Sequence, residues 1–152
     1  MRIAILGLLM IAASASATDG GIDVKSKPFD EQAKTIRVEL ASSDKYREIT
    51  REDRALVTST LDRMGTRIEE AGGVDRLAPQ AMVDVFNDQE KVNAVLTRAR
   101  EDSRMVCKRE RKTGSNFTSN SCMTVAQRRR HSEASRDYLR RQSPSVDNNF
   151  IR

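Results

Sequence analysis

The sequence has few of the residues on which many protein chemistries depend. Its 152 residues include no Trp, one His, two Cys and two Tyr, and only 4% of them are aromatic. His131, Cys107 and Cys122 do not complete a four-ligand zinc site, and two Tyr offer little stacking surface to a sugar. Gly-rich phosphate loops, EF-hand loops and the H-E-x-x-H motif are absent. We therefore expect no enzymatic activity, no cofactor and no metal.

Neighbouring carboxylates are the remaining side chains that suit general acid–base chemistry. On helices such residues more often form a solvated face or lie in a first turn, where the helix dipole favours negative charge. His131 lies in a basic stretch, and we interpret it as a surface residue. The same interpretation applies to the acidic pairs Glu69 with Glu70, Asp88 with Glu90, and Glu101 with Asp102.

Long hydrophobic runs are also absent after residue 17. Arg2 precedes an apolar stretch from Ile3 to Ala13, and Ala15-Ser16-Ala17 follows it. This order predicts a secretory signal peptide over residues 1–17. The apolar stretch is shorter than the roughly 20 residues that a membrane span needs. We expect an exported, periplasmic or secreted protein whose mature chain has no transmembrane segment. The alternative is a helix packed in the core.

The two cysteines predict one structural disulfide, Cys107–Cys122, since an even cysteine count is typical of exported chains. Closing this loop of about 15 residues is worth roughly 3 kcal/mol in the chain-entropy model. In an antiparallel hairpin with this register, Lys112 faces Phe117 across a four-residue loop, 113–116. A reactive or metal-binding thiol pair, or a pair that exchanges its disulfide, is the alternative interpretation.

Apolar residues at helical spacing predict a mainly helical fold. Phe29, Ala33, Ile36 and Leu40 predict a helix over 30–41. A second helix starts after Thr50, which forms a capping box with Asp53, and ends at Gly72-Gly73. Its core face comprises Leu56, Val57, Leu61, Met64 and Ile68.

Three further helices are predicted downstream. A short one runs from Pro79 through Phe86, and Asn87 or Asp88 caps the next. The core stripe of that helix contains Val92, Val95, Leu96 and Ala99. A capping box of Thr124 and Gln127 opens the last helix, from Val125 to about Arg141.

These elements predict one domain of the mainly α class with a small β-hairpin (α+β). We expect a single mostly helical domain over residues 29–142, stapled by the disulfide, with the hairpin at about 104–124. A flexible tail over 18–28 precedes the domain, and a disordered tail over 143–152 follows it.

Charge is distributed unevenly along the chain. Residues 18–102 carry 14 Lys and Arg against 18 Asp and Glu, a net of −4, whereas residues 103–152 carry 12 against 4, a net of +8. The basic segment is the best candidate for binding a polyanion, because arginine binds phosphate and carboxylate with two hydrogen bonds. The alternative is an ordinary charged surface, partly neutralised by the acidic helices. The candidate residues are Lys108, Arg109, Arg111, Lys112, Arg128, Arg129, Arg130, Arg136 and Arg140.

The segment from Phe86 to Arg130 resembles an uncharacterised family of small exported proteins of Gram-negative bacteria. The resemblance rests on Phe86-Asn87-Asp88-Gln89-Glu90 and on the Cys107…Gly114…Cys122-x-Thr124 segment that follows. It implies export and a disulfide, but neither a substrate nor catalytic residues.

Together these features predict a non-enzymatic accessory protein of the cell envelope that acts through contacts with an unidentified protein partner. The alternative is a polyanion-binding module that uses the hairpin and the last helix. Its ligand would be lipopolysaccharide, an anionic wall polymer or nucleic acid.

Overall fold

A computed structural model describes residues 21–42, 44–111 and 113–142. Within them the chain forms four α-helices and one antiparallel hairpin, which confirms the mainly α fold with a small β-hairpin. The predicted signal peptide and the predicted tail at 143–152 lie outside the described residues. The elements are α1 (Phe29–Ser42), α2 (Arg51–Ala71), α3 (Pro79–Ser103), β1 (Met105–Arg111), β2 (Thr118–Thr124) and α4 (Val125–Gln142).

The ends of α2 are set by the capping residues that the sequence predicts. The hydroxyl of Thr50 accepts a hydrogen bond from the amide of Asp53 at 3.0 Å, which satisfies a free N–H of the first turn. At the other end Gly72 has a φ of 73°, a left-handed conformation that favours glycine. The Gly72 and Gly73 amides donate to carbonyls of the last turn, so α2 ends in a compact cap.

The third and fourth predicted helices are one continuous helix, α3, so the predicted break at Asn87 or Asp88 is wrong. Asn and Asp favour caps, but they do not interrupt a helix as a proline does. Here the side chain of Asp88 accepts hydrogen bonds from Arg63 on α2 at 2.9 and 2.6 Å. The carboxylate therefore ties α3 to α2 instead of capping a helix end.

The hydrophobic core lies between α1, α2 and α3. The apolar faces predicted for these helices are buried or partly buried, and Tyr46, in the turn between α1 and α2, is only 1% exposed. Aliphatic side chains and alanine supply most of this core, as expected for a chain so poor in aromatics. The residues exposed by less than 1% are Val57, Thr60, Leu61, Met64, Val85 and Thr124.

The segment before α1 was predicted to be part of a flexible tail, but in the structure it packs on the helices. Ile22 and Val24 are 1% and 4% exposed and belong to the core. Asn93 on α3 accepts a hydrogen bond from the Ile22 amide at 2.7 Å and donates one to the Ile22 carbonyl at 2.9 Å. Gln89 accepts from the amide of Val24. These side chains replace strand partners for the backbone, a role that apolar periodicity does not reveal.

Asn93→Ala should lower the free energy of unfolding by about 1–3 kcal/mol, because it leaves the amide and carbonyl of Ile22 without their partner. Lys91→Ala, an exposed position on the same helix, is the control and should change stability by less than about 0.5 kcal/mol. Urea unfolding of the two variants measures the difference. Equal stabilities would show that Asn93 does not hold this segment.

Candidate binding surface on the hairpin and last helix

The hairpin has the register that the cysteines predict. Cys107 pairs with Cys122 and the two form a disulfide, which confirms that prediction. The described pairs end at Arg111 opposite Thr118. The predicted pairing of Lys112 with Phe117 involves a residue outside the described ones.

The hairpin presents its cations on both faces. Successive side chains of a strand point to opposite sides, so Arg109 and Arg111 share the face of Cys107 while Lys108 lies on the other. Nearly every residue of β1 is exposed, and Val106 is the partly buried exception. The two strands therefore extend from the helical body instead of covering it.

The last helix begins in the capping box predicted from the sequence. The hydroxyl of Thr124 accepts from the Gln127 amide at 3.0 Å, and the Gln127 side chain accepts from the Thr124 amide at 3.1 Å. The backbone amide of Val125 donates to the carbonyl of Arg104. Because α4 follows β2 directly, this cap fixes the helix to the base of the hairpin.

Glu48 joins the body to this hairpin and helix. Its carboxylate accepts hydrogen bonds from the Thr124 hydroxyl at 2.7 Å and from the Arg130 guanidinium at 2.9 Å. Its amide donates to the hydroxyl of Ser103, which in turn donates to the carbonyl of Ala99. The Glu48 side chain is only 10% exposed. We call the side chains of Glu48, Ser103, Thr124 and Arg130 the Glu48 joint.

The electrostatics of the joint favour the ionised carboxylate. Burial alone would raise the pKa of Glu48, but the hydrogen bonds from Thr124 and Arg130 outweigh it and lower that pKa below its usual value of 4.5. The negative charge is therefore part of the folded structure at neutral pH.

Three of the predicted polyanion-binding residues contact the protein itself. Arg129 forms two hydrogen bonds to Asp102 on α3, at 2.9 and 3.1 Å, and they raise the pKa of its guanidinium. Arg130 pairs with Glu48, as described above. Arg128 donates to the carbonyl of Val106 on β1 at 3.2 Å. These three arginines attach α4 to the body and the hairpin, in line with the alternative that acidic helices partly neutralise the basic segment.

The other described candidates remain on the surface. Each is exposed, and in the described part of the chain none lies within ion-pair distance of a carboxylate. Arg109 donates to the hydroxyl of Thr118 at 2.9 Å, which holds its guanidinium across the hairpin. The structure thus divides the predicted set. The residues that stay available to an anion are Lys108, Arg109, Arg111, Arg136 and Arg140.

Three residues of the predicted acidic pairs form ion pairs. Asp88 pairs with Arg63 and lies 3.6 Å from Arg67, Glu101 pairs with Arg104, and Asp102 pairs with Arg129. His131 is exposed on α4. Across residues 21–42, 44–111 and 113–142, no three potential metal ligands come together, and none of the helices has the length and hydropathy of a membrane span.

Two exposed aromatics, one on the hairpin and one on α4, were not among the predicted binding residues. Phe117, between the strands, is 87% exposed, and Tyr138 on α4 is 60% exposed. The whole stretch 131–142 of α4 is exposed, and Ala126 is the buried residue of this helix. The spacing of apolar residues on α4 is too sparse for a core face, which is the signal that separates it from α1–α3.

Glu48→Gln should lower the free energy of unfolding by about 1–2 kcal/mol at neutral pH, because Arg130 loses its charged partner. Since the pKa of Glu48 is lowered by folding, its contribution is present above 4.5 and is lost as the pH falls through the folded value. Urea unfolding at pH values from neutral down to about 3 should therefore show the two proteins converging in acid. Glu70→Gln, at an exposed position on α2, is the control. A difference that does not depend on pH would contradict this role of Glu48.

Comparisons of the chain with models of known families, with curated proteins and with solved structures found no match. The resemblance to small exported proteins of Gram-negative bacteria therefore stays a prediction. The case for a function rests on the geometry of the hairpin and α4.

Proposed function

We propose that this is an exported, non-enzymatic accessory protein of the bacterial envelope that acts through contacts of α4 with another protein. The observation that carries the proposal is the exposure of residues 131–142, a stretch of helix that includes Tyr138. An isolated helix of about 12 residues is marginally stable in water and gains stability when a partner covers one face. Aromatic residues are enriched in such interfaces, as is arginine, which α4 supplies at Arg136 and Arg140.

Export is supported by two features of different kinds. The N-terminal residues have the order of a signal peptide, and the Cys107–Cys122 disulfide suits the oxidising compartments in which such bonds persist. Disulfide exchange is a weaker proposal for this pair. The bond joins neighbouring strands of a hairpin, where it has the structural role of holding their register.

A photoreactive residue placed at Tyr138 in the exporting host should form a discrete covalent adduct with one partner protein. Val83, which is 50% exposed on α3, is the matched control position and should form none. Mass spectrometry of the adduct names the partner. Absence of an adduct at position 138, or equal labelling at both positions, would contradict the proposal, as would a turnover activity abolished by changing one acidic residue.

Polyanion binding is the second candidate, favoured by the exposed cations of the hairpin. Residues 104–124 carry five Lys and Arg against one acidic residue. Lys108, Arg109 and Arg111 have no carboxylate partner within the described residues. Binding of a phosphate polymer to such residues releases counterions and weakens as salt increases.

Lys108→Ala/Arg109→Ala/Arg111→Ala should weaken binding to a single-stranded polyanion and flatten its salt dependence, by about 0.7 in the log–log slope for each lost phosphate contact. Lys34→Ala/Arg51→Ala/Lys91→Ala removes the same charge from exposed positions of the helical body and is the control. Titrations across a range of salt concentrations measure both slopes. Binding that is absent, insensitive to salt or equally affected by the two variants would rule out the hairpin as a polyanion site.

A further inference from the structure

The most exposed large hydrophobic side chain of the described residues lies at the end of the hairpin. Phe117 is 87% exposed and immediately precedes β2. Its amide donates to the hydroxyl of Ser115, and Gly114 adopts a φ of 81°, so the chain turns sharply here. The Phe117 side chain is therefore not part of the hydrophobic core and is open to contact with another surface.

Two arginines lie at the same end of the hairpin. Arg111 pairs with Thr118, the residue after Phe117, and Arg109 donates to the Thr118 hydroxyl at 2.9 Å. Both side chains lie on the same face of the hairpin. Glu110, the one acidic residue of the strand, points to the opposite face. We call Phe117, Arg109 and Arg111 the hairpin tip.

The hairpin tip combines an apolar group with cations, the combination that binds the surface of an anionic bilayer. Aromatic side chains favour the boundary between headgroups and acyl chains, and basic residues are attracted to anionic headgroups. The Cys107–Cys122 disulfide keeps the two strands in register behind the tip. Residues 18–102 carry a net charge of −4, so an anionic surface repels this part of the chain.

We propose that the hairpin tip docks on the surface of an anionic phospholipid bilayer, with Phe117 inserted at the headgroup boundary and Arg109 and Arg111 bound to lipid phosphates. This proposal deepens the polyanion-binding candidate and rests on it, because the same arginines supply the charge. It adds an apolar insertion that a soluble polyanion does not require.

The absence of Trp from the sequence permits a direct test. Phe117→Trp places a single indole at the tip of the exported, purified protein, whose N-terminus is identified by mass spectrometry. Vesicles that contain phosphatidylglycerol should shift its emission to the blue, and brominated lipids should quench it. Vesicles of phosphatidylcholine alone should do neither. Tyr138→Trp reports from α4 and should show no shift on either kind of vesicle.

The arginines are tested in the background of Phe117→Trp. Arg109→Ser/Arg111→Ser should weaken binding to the anionic vesicles by about 25-fold, or fivefold for each basic residue removed near the surface. Arg136→Ser/Arg140→Ser removes the same charge from α4 and should weaken it by no more than about twofold. All variants share one N-terminus, so differences between them report the substituted positions. Circular dichroism confirms that each variant is folded.

A soluble polyanion separates this proposal from the function on which it rests. If the Phe117→Trp protein binds an anionic polysaccharide but its emission does not shift on anionic vesicles, membrane docking is overturned and polyanion binding stays in place. Failure to bind either would overturn both. Equal emission shifts in the Phe117→Trp and Tyr138→Trp proteins, or equal losses from the two arginine pairs, would also overturn the hairpin tip as the docking site.

Discussion

The hairpin and α4 meet the helical body at one part-buried carboxylate. Glu48 lies after α1, yet it accepts hydrogen bonds from Thr124 and Arg130, which are 76 and 82 residues further along the chain. Through Ser103 it also contacts the end of α3. A buried carboxylate is costly unless its oxygens have partners. The partners of Glu48 come from the end of α3, the end of β2 and the start of α4, so these elements must meet at Glu48 to offset that cost. Glu48 thereby couples the helical body to the surface that we propose to be functional.

The arginines of the basic segment follow from this constraint. Arg128, Arg129 and Arg130 lie in the first turns of α4, where Val106, Asp102 and Glu48 are within reach. They neutralise or cap groups of the protein and are poor candidates for binding a ligand. Among the described residues, Lys108, Arg109, Arg111, Arg136 and Arg140 form no ion pair with a carboxylate. The arginines close to the joint thus hold α4 in place, whereas the cations further away are available to bind a partner or an anionic surface.

Local signals in the sequence predict much of the fold. Capping residues and cap glycines act within a few residues of the chain, and two cysteines have one possible pairing. The helix ends and the hairpin predicted from Thr50, Thr124, the glycines after α2 and the two cysteines are therefore confirmed. The failures involve partners distant in sequence. Ile22 is held by Asn93, 71 residues away, and Asp88 binds Arg63, 25 residues away, instead of capping a helix. Sequence spacing contains no information on which surface arginine meets which carboxylate. The candidate residues could therefore be named from the sequence, but those that pair within the protein could not be told from those that stay available to a ligand.

The coupling free energy between Glu48 and Thr124 is the most direct measure of whether the Glu48 joint holds the hairpin and α4 on the helical body. A double-mutant cycle with Glu48→Ala, Thr124→Val and the pair of substitutions gives that coupling from unfolding free energies in urea. We predict a favourable coupling of about 1 kcal/mol or more, because the two side chains share a part-buried hydrogen bond to a charged group. A coupling within error of zero would show that the hairpin and α4 are held on the body by other contacts, and would contradict the account.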